Sequence, residues 1–345
     1  MSFRLERRGL LVALIVALSS SAGAHHALNA FYDLDSPFEL EGTLTSVRWT
    51  NPHISFELER AGPDGQTEAW SVASGSPVLI RRSGVDAETF AVGDRVRITG
   101  FPSRLREQEM VGAVIHMADG SDIPLFRSLA GRLGYDLTPS GGHIDTDAVT
   151  VSEQTAQGIF RVWSFDDDPS LREFEPEFVS SAIDARASYD PLVDDPALSC
   201  TPRGMPHAME NRFPIEFVDQ GQTIGLRLEM WGSLRTIHVG DDDSTGSQQA
   251  SPLGHSVGRW EDGTLVVTTT NIDWLYFDEI GTPQSAEIET EERFTLSEDD
   301  SVLDYQITIT DPQILLEPAV RYARWAWVPG EEVQPYGCTP IVNSN

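Results

Sequence analysis

Histidines near the start of the chain carry its most suggestive chemistry. His25 and His26 stand side by side, His53 follows at some distance, and His116 is a lesser candidate. Neutral imidazole is a good ligand for copper and zinc, and an α-amine gives up its proton readily to a metal. If His25 begins the mature chain, its amine and ring chelate one ion, and His26 or His53 completes a square-planar set that favours Cu(II). The alternative is that His26 and His53 only anchor the N-terminal arm through hydrogen bonds.

The residues before His25 predict that the chain is processed there. Three arginines, at positions 4, 7 and 8, precede an apolar run at 10–18, and the small residues Ala22 and Ala24 follow. This is the pattern of a secretory signal peptide, residues 1–24, with cleavage near Ala24. The run is shorter than the roughly 20 apolar residues that span a bilayer, so we expect no membrane span. The expected location is the periplasm or the outside of the cell.

The two cysteines of the chain fit that location. Cys200 and Cys338 both lie well beyond the expected cleavage site, and oxidising compartments permit disulfides. We therefore expect them to pair, which would stabilise the fold by about 4 kcal/mol in the chain-entropy model. The alternative is two separate buried thiols.

The overall charge argues against polyanionic partners. The chain has 54 acidic residues against 24 basic ones, a formal net charge of −30. Such a chain repels nucleic acid and anionic lipid, so we expect neither as a partner. Aspartate clusters at 166–168 and 241–243 indicate a solvated acidic surface, with cation binding as the sharper alternative.

Period-two alternation of apolar and polar residues predicts a first β domain, residues 25–128. A short helical stretch at 77–82 separates the third expected strand from the fourth. Three strands, a helix and two strands is the order of an OB-like five-stranded barrel, and Gly42 suits the bend that such a barrel needs in its first strand. The five expected strands are 38–48, 54–60, 67–73, 95–100 and 111–117.

A second β domain is predicted over residues 158–345, after a linker at 129–157. Turn signals such as Asp262-Gly263 separate its β-rich runs. Successive strands of this number predict a lipocalin-like antiparallel β-barrel, so the whole chain is expected to be mostly β. The runs are 159–165, 214–218, 223–231, 236–239, 257–260, 264–271, 286–296, 302–310 and 319–327.

Tryptophans concentrate in this second domain. Trp231, Trp260, Trp325 and Trp327 would line a cavity for a small apolar ligand, or would simply fill the core. Lipocalin-like carriage of such a ligand is therefore an alternative to copper binding.

Enzyme templates are hard to find in the sequence. It has no Gly-rich phosphate loop, nucleophile elbow or His-Glu-x-x-His motif. Ser256 follows His255, but adjacent strand residues point to opposite faces and do not easily form a nucleophile and base pair. An enzyme of unrecognised type remains a third alternative, and the balance of these features is against catalysis.

Three glutamates beside aromatic residues or arginines predict a polar barrel interior. Because buried charges usually come paired, a structural network is the expected role. The carboxylates are Glu229, Glu261 and Glu292, with Arg235, Arg259 and Arg293 as their candidate partners.

Several motifs give the chain a resemblance to a family of secreted bacterial proteins known only as a domain of unknown function. The likeness covers the first domain, and later motifs resemble a C-terminal region found in longer members. It implies no activity. One departure is that His238-Val239-Gly240 follows Arg235-Thr236-Ile237, where such proteins typically have Asp-Gly-Arg. The first set is His25-His26, Trp49-Thr50-Asn51-Pro52-His53, Trp70 and Gly93-Asp94-Arg95-Val96; the later set is Cys200 to Pro206, Gly254 to Glu261 and Glu292-Arg293-Phe294.

Overall fold

The structure is a computed structural model, and it describes residue 28 and residues 31–82, 84–135, 146–166, 171, 174–191, 193–240 and 249–340. These residues form two closed β-barrels, one after the other along the chain. The predicted fold class is therefore confirmed.

The first barrel has the strand order of the predicted OB-like fold. β1 pairs with both β2 and β4, and a parallel pairing of β3 with β5 closes the ring. A short strand, β6 (Asp122–Pro124), extends the sheet beside β5. The barrel strands are β1 (Phe38–Arg48), β2 (Ser55–Ala61), β3 (Thr67–Ala73), β4 (Arg95–Pro102) and β5 (Glu109–His116).

Gly42 allows β1 to serve two neighbours. Residues up to Thr43 pair with β4, and residues from Thr43 onward pair with β2. A Cβ atom at position 42 would stand 2.7 Å from the carbonyl oxygen of Glu59, so the close approach of the two backbones requires glycine. The interior that this curvature encloses is apolar, and its buried side chains include Leu40, Ile54, Phe56, Leu58, Val72, Ile98 and Ile115.

Four short α-helices have both ends within the described residues. α1 (Pro77–Arg81) lies in the predicted helical stretch, where the Ser76 hydroxyl accepts a hydrogen bond from the backbone N–H of Val78. α2 (Arg127–Arg132) and α3 (Thr146–Thr155) overlap the range expected to be a linker without secondary structure, and Leu129 of α2 is buried against the first barrel. α4 (Ser180–Arg186) precedes the second strand of the second barrel.

The second barrel is closed by nine strands, one for each predicted run. Every neighbouring pair is antiparallel except β10 and β11, which are parallel. Strands that alternate in direction around a closed ring must be even in number, so a nine-stranded barrel contains at least one parallel pair. The strands are β7 (Val162–Phe165), β8 (Ile215–Asp219), β9 (Thr223–Leu228), β10 (Ser233–Val239), β11 (His255–Glu261), β12 (Thr264–Thr270), β13 (Glu289–Leu296), β14 (Val302–Thr310) and β15 (Ala319–Ala326).

The C-terminal segment after β15 fastens the two barrels together. Tyr336 packs with Val78 of the first barrel and Phe213 of the second, and the backbone N–H of Thr339 donates to the carbonyl oxygen of Asn51 at 2.9 Å. This segment is itself held by the Cys200–Cys338 disulfide, whose Cα atoms are 5.9 Å apart. The predicted disulfide is therefore confirmed.

An ion pair at the same junction crosses from one barrel to the other. The Arg82 guanidinium donates to both carboxylate oxygens of Glu229, at 3.0 and 2.7 Å, and its Nε donates to Glu331 at 3.1 Å. The Glu229 side chain is fully buried, so its charge depends on this partner.

Candidate functional site

His53 lies at the junction, in the connection between β1 and β2. Next to it, the buried side chain of Asn51 receives a hydrogen bond from the Ser76 hydroxyl at 2.5 Å and donates one to the carbonyl oxygen of Tyr336. The Asn51-Pro52 peptide bond is cis. These contacts from α1 and from the C-terminal segment fix the loop that carries His53.

The ring of His53 is oriented by one hydrogen bond. Its Nδ1 lies 3.0 Å from the backbone carbonyl oxygen of Ser74. Because a carbonyl only accepts, Nδ1 carries the proton, and Nε2 of the neutral ring retains its lone pair. This arrangement, an Nδ1–H donated to a carbonyl, is the one that orients many metal-binding histidines.

Electrostatics keep this imidazole neutral. His53 is solvent-exposed, yet enough protein surrounds it that desolvation lowers its pKa, and the charge of Arg203 lowers it further. The hydrogen bond to Ser74 and the charge of Glu279 act in the opposite direction. Arg203 and Glu279 belong to the second barrel domain, so charges of that domain act on His53 across the junction.

On the second barrel's side of the junction, Arg203 belongs to a buried cluster that the sequence did not predict. The Arg203 guanidinium donates to Nε2 of His207 at 2.8 Å, and burial lowers the pKa of His207 well below its ordinary value. Glu210 stands 3.9 Å from the same Nε2 and pairs with Arg321, while burial raises the pKa of its carboxyl. One indication of this cluster was available from the sequence, since His207 directly follows the motif that ends at Pro206.

The N-terminal histidines cannot be placed, because His25 and His26 lie outside the described residues. Leu28, the first described residue, packs against a cluster that includes Ala113. The Ala113 carbonyl accepts from the N–H of Leu125, whose own carbonyl accepts from the Ser74 hydroxyl at 3.1 Å. Three contacts therefore connect Leu28 to Ser74, the residue whose carbonyl orients His53.

His116, the lesser candidate, has both ring nitrogens engaged. Its Nδ1 lies 2.6 Å from a carboxylate oxygen of Asp122, and its Nε2 lies 2.9 Å from the Thr99 hydroxyl. A second hydroxyl, that of Tyr135, lies 3.3 Å from Nε2. These bonds tie the segment after α2 to the ends of β5 and β6. His116 is thus held by a network of its own, on different strands from His53.

Copper ligands do not converge within the part of the chain that the structure describes. No group of three or more His, Cys, Asp or Glu side chains is arranged there to hold a metal ion. A site at His53 therefore depends on ligands from outside the described residues.

The interior of the second barrel contains one of the predicted ion pairs. Arg235 donates through two nitrogens to the carboxylate of Glu292, and its Nε and Nη2 donate to Ser256 and Thr269 at 3.0 and 2.6 Å. The Tyr305 hydroxyl donates to Glu292 at 2.9 Å. Every group named here is buried, so the network has the structural character that was expected.

The other two glutamates have different surroundings. Glu229 forms the junction pair with Arg82, and Glu261 pairs on the outside with Arg259 and Arg293. Of the three carboxylates expected to face the barrel interior, only Glu292 pairs there.

The four candidate tryptophans of the cavity prediction do not share one space. Trp325 is fully buried in the apolar core, whereas Trp260 is 46% exposed. Trp231 packs against Tyr336 at the junction, with ring centroids 5.1 Å apart. Trp327 packs under the Arg161 guanidinium. Trp325 and Trp327 belong to the apolar cluster of the barrel, whereas Trp231 belongs to the cluster at the junction, and a ligand cavity in this barrel stays a prediction.

Comparison with known proteins adds one finding about the first barrel. No curated protein matches the chain. Within the described residues, no helix is long and apolar enough to cross a membrane. The predicted companion region beyond the first domain is not covered by a match and stays a prediction. Residues 13–111 match the model of a family of unknown function, DUF6152, which confirms that the first domain resembles a domain of unknown function.

Proposed function

We propose that this protein, after export and cleavage at Ala24, binds Cu(II) through its mature N-terminus and His53. The α-amine and side chain of His25 form the chelate, and His53 or His26 completes it. The observation that carries the proposal is the hydrogen bond from His53 Nδ1 to the Ser74 carbonyl, which orients the ring and leaves Nε2 as the ligand atom.

The His53 ring, the other proposed nitrogen ligands and the charge of the protein favour a metal cation. Desolvation lowers the pKa of His53, so its ring is in the neutral form that binds metals at neutral pH. A set of amine and imidazole nitrogens takes Cu(II) in preference to the other divalent first-row ions, following the Irving–Williams order. The net charge of −30 attracts cations in general.

Support for export comes from two features. The first 24 residues have the composition of a secretory signal peptide, and the Cys200–Cys338 disulfide is of the kind that persists in oxidising compartments. Cleavage two residues earlier, after Ala22, would place Gly23 at the terminus and remove the amine from the chelate. The proposal therefore depends on one peptide bond.

The test begins with N-terminal sequencing of the protein secreted by a bacterial host. If the terminus is His25, titration with Cu(II) should give one tight equivalent. One extra residue before His25 should abolish tight binding, and His53→Ala should weaken it by at least about tenfold.

His116→Ala is the matched control. The His116 ring is held by Asp122 and Thr99 in the same barrel, so the substitution should leave copper affinity unchanged. Equal affinity in the wild-type, extended and His53→Ala proteins would show that the histidines are structural.

A further inference from the structure

A second pair of imidazoles lies on the outer face of the second barrel. His238 near the end of β10 and His255 at the start of β11 have ring centroids 4.9 Å apart, with 37° between the ring planes. Neither residue takes part in the copper site proposed above. They meet at the parallel seam, where the chain departs from the motif expected after Ile237.

Strand geometry puts both rings on the same side of the sheet. Arg235 and Ile237 point into the barrel, so His238, one residue on, points outward. Ser256 points inward to Arg235, so His255 before it also points outward. The register pairs Ile237 with Ser256, which makes the two histidines diagonal neighbours across the seam.

The backbone on either side of the pair is tightly constrained. Gly254, with φ of 69°, directly precedes β11, and a Cβ there would stand 2.7 Å from both the Thr269 side chain and the Thr270 carbonyl oxygen. His255 is 7% exposed and His238 is half-buried, so one ring is embedded and the other borders solvent.

We propose that His238 and His255 together bind a divalent cation of borderline softness, with Zn²⁺ as the probe and water in the remaining positions. Zinc binds imidazole nitrogen at about 2.0–2.1 Å, so two nitrogens on one tetrahedral ion lie roughly 3.4 Å apart. Rings whose centroids are 4.9 Å apart are close enough for each to supply one nitrogen to such an ion. Two strands of one closed sheet supply the pair, which keeps the entropy cost of binding low.

The experiment is calorimetric titration of the mature protein with Zn²⁺. His238→Ala and His255→Gln should each lose one equivalent, or weaken it by at least about tenfold, whereas His53→Ala should retain it. Thr236→Ala, an outward-facing exposed position of the same strand, is the matched control and should bind as the wild type does.

Copper titration separates this site from the N-terminal one. His238→Ala should keep the equivalent that depends on His25 and His53, so each proposal fails or stands without the other. Because His238 is half-buried, its alanine variant decides the question even if His255→Gln does not fold, and circular dichroism verifies its structure. An unchanged zinc stoichiometry and affinity in His238→Ala would overturn the proposal.

Discussion

The two barrels obey one topological constraint and differ in what fills them. Five strands close the first barrel and nine close the second, so each has an odd number and each contains one parallel pair. Parallel neighbours need a long crossover, which in the first barrel includes α1 and in the second covers residues 240–254. In the second barrel the two candidate metal-binding histidines lie at the parallel seam, whereas in the first barrel His53 contacts Ser74, directly after β3.

The interiors show what barrel width permits. Barrel diameter grows with strand number, and the narrow first barrel is filled by a cluster of apolar side chains. The wider second barrel buries two tryptophans. It also buries the Arg235–Glu292 ion pair, whose members form hydrogen bonds with each other and with three hydroxyl groups. A buried ion pair is tolerated only where enough polar partners surround it, and nine strands supply them.

Replacing Glu292 with leucine should give the largest effect on stability. The change leaves Arg235 charged, buried and without its carboxylate, which costs about 3–5 kcal/mol of unfolding free energy. Urea denaturation followed by tryptophan fluorescence measures it. The double variant Arg235→Met, Glu292→Leu removes both charges and leaves the Ser256 and Thr269 hydroxyls bonded to each other, so it should recover most of the loss.

The matched control is an ion pair on the outside of the same barrel. Asp304→Asn removes the exposed partner of Arg324 and should change stability by less than about 1 kcal/mol. If Glu292→Leu lowered the unfolding free energy by as little as Asp304→Asn, the buried Arg235–Glu292 pair would contribute no more to stability than a surface ion pair does.

Sequence patterns predicted the barrels well because strand periodicity is local. The alternation at Ile54, Phe56 and Leu58 located β2, since one face of that strand is buried in the core. The parallel pairing of β10 with β11 was not predicted. The need for one parallel pair follows from the odd number of strands in the closed ring, and it is not visible in the sequence of any single strand. Helix α3 was missed as well, and it has no buried residue that could produce an apolar period.

Site prediction was limited in the same way. His53 was singled out by residue type, but the carbonyl that orients it belongs to Ser74, which directly follows β3. His207 was not singled out, although its partners Arg203 and Glu210 lie within four residues of it, because nothing in this turn-rich segment indicated that the ring is buried. His255 was considered only with its neighbour Ser256, whereas the fold pairs it with His238.

An intermediate effect is expected at the junction between the barrels. Arg82→Ala leaves the fully buried Glu229 carboxylate without its guanidinium, which should cost about 2 kcal/mol. The double variant Arg82→Ala, Glu229→Gln should cost less than the single one, because the uncompensated charge is gone. Thermal unfolding measures both, and an Arg82→Ala protein as stable as the wild type would show that the barrels are held by the apolar contacts of Tyr336 alone.

The smallest expected effect is a dependence of stability on pH at His207. Burial holds the pKa of His207 well below its usual value in the folded protein, and the charge of Arg203 adds to the shift, whereas unfolded histidine titrates near 6.5. Below that pH the unfolded chain therefore binds a proton that the folded chain does not, and stability is lost as the pH falls. One such proton gives a slope of at most about 1.4 kcal/mol per pH unit.

The charged groups around the ring set the pH window. Arg203 and Arg321 oppose protonation of His207, Glu279 favours it, and the raised pKa of the Glu210 carboxyl acts at lower pH and in the opposite direction. Unfolding free energies measured between pH 7 and 5.5 should therefore fall by about 1 kcal/mol more in the wild type than in His207→Gln. His53 is present in both proteins, so its own lowered pKa cancels in the comparison. Equal slopes in the two proteins would show that His207 is protonated as readily in the folded chain as in the unfolded one.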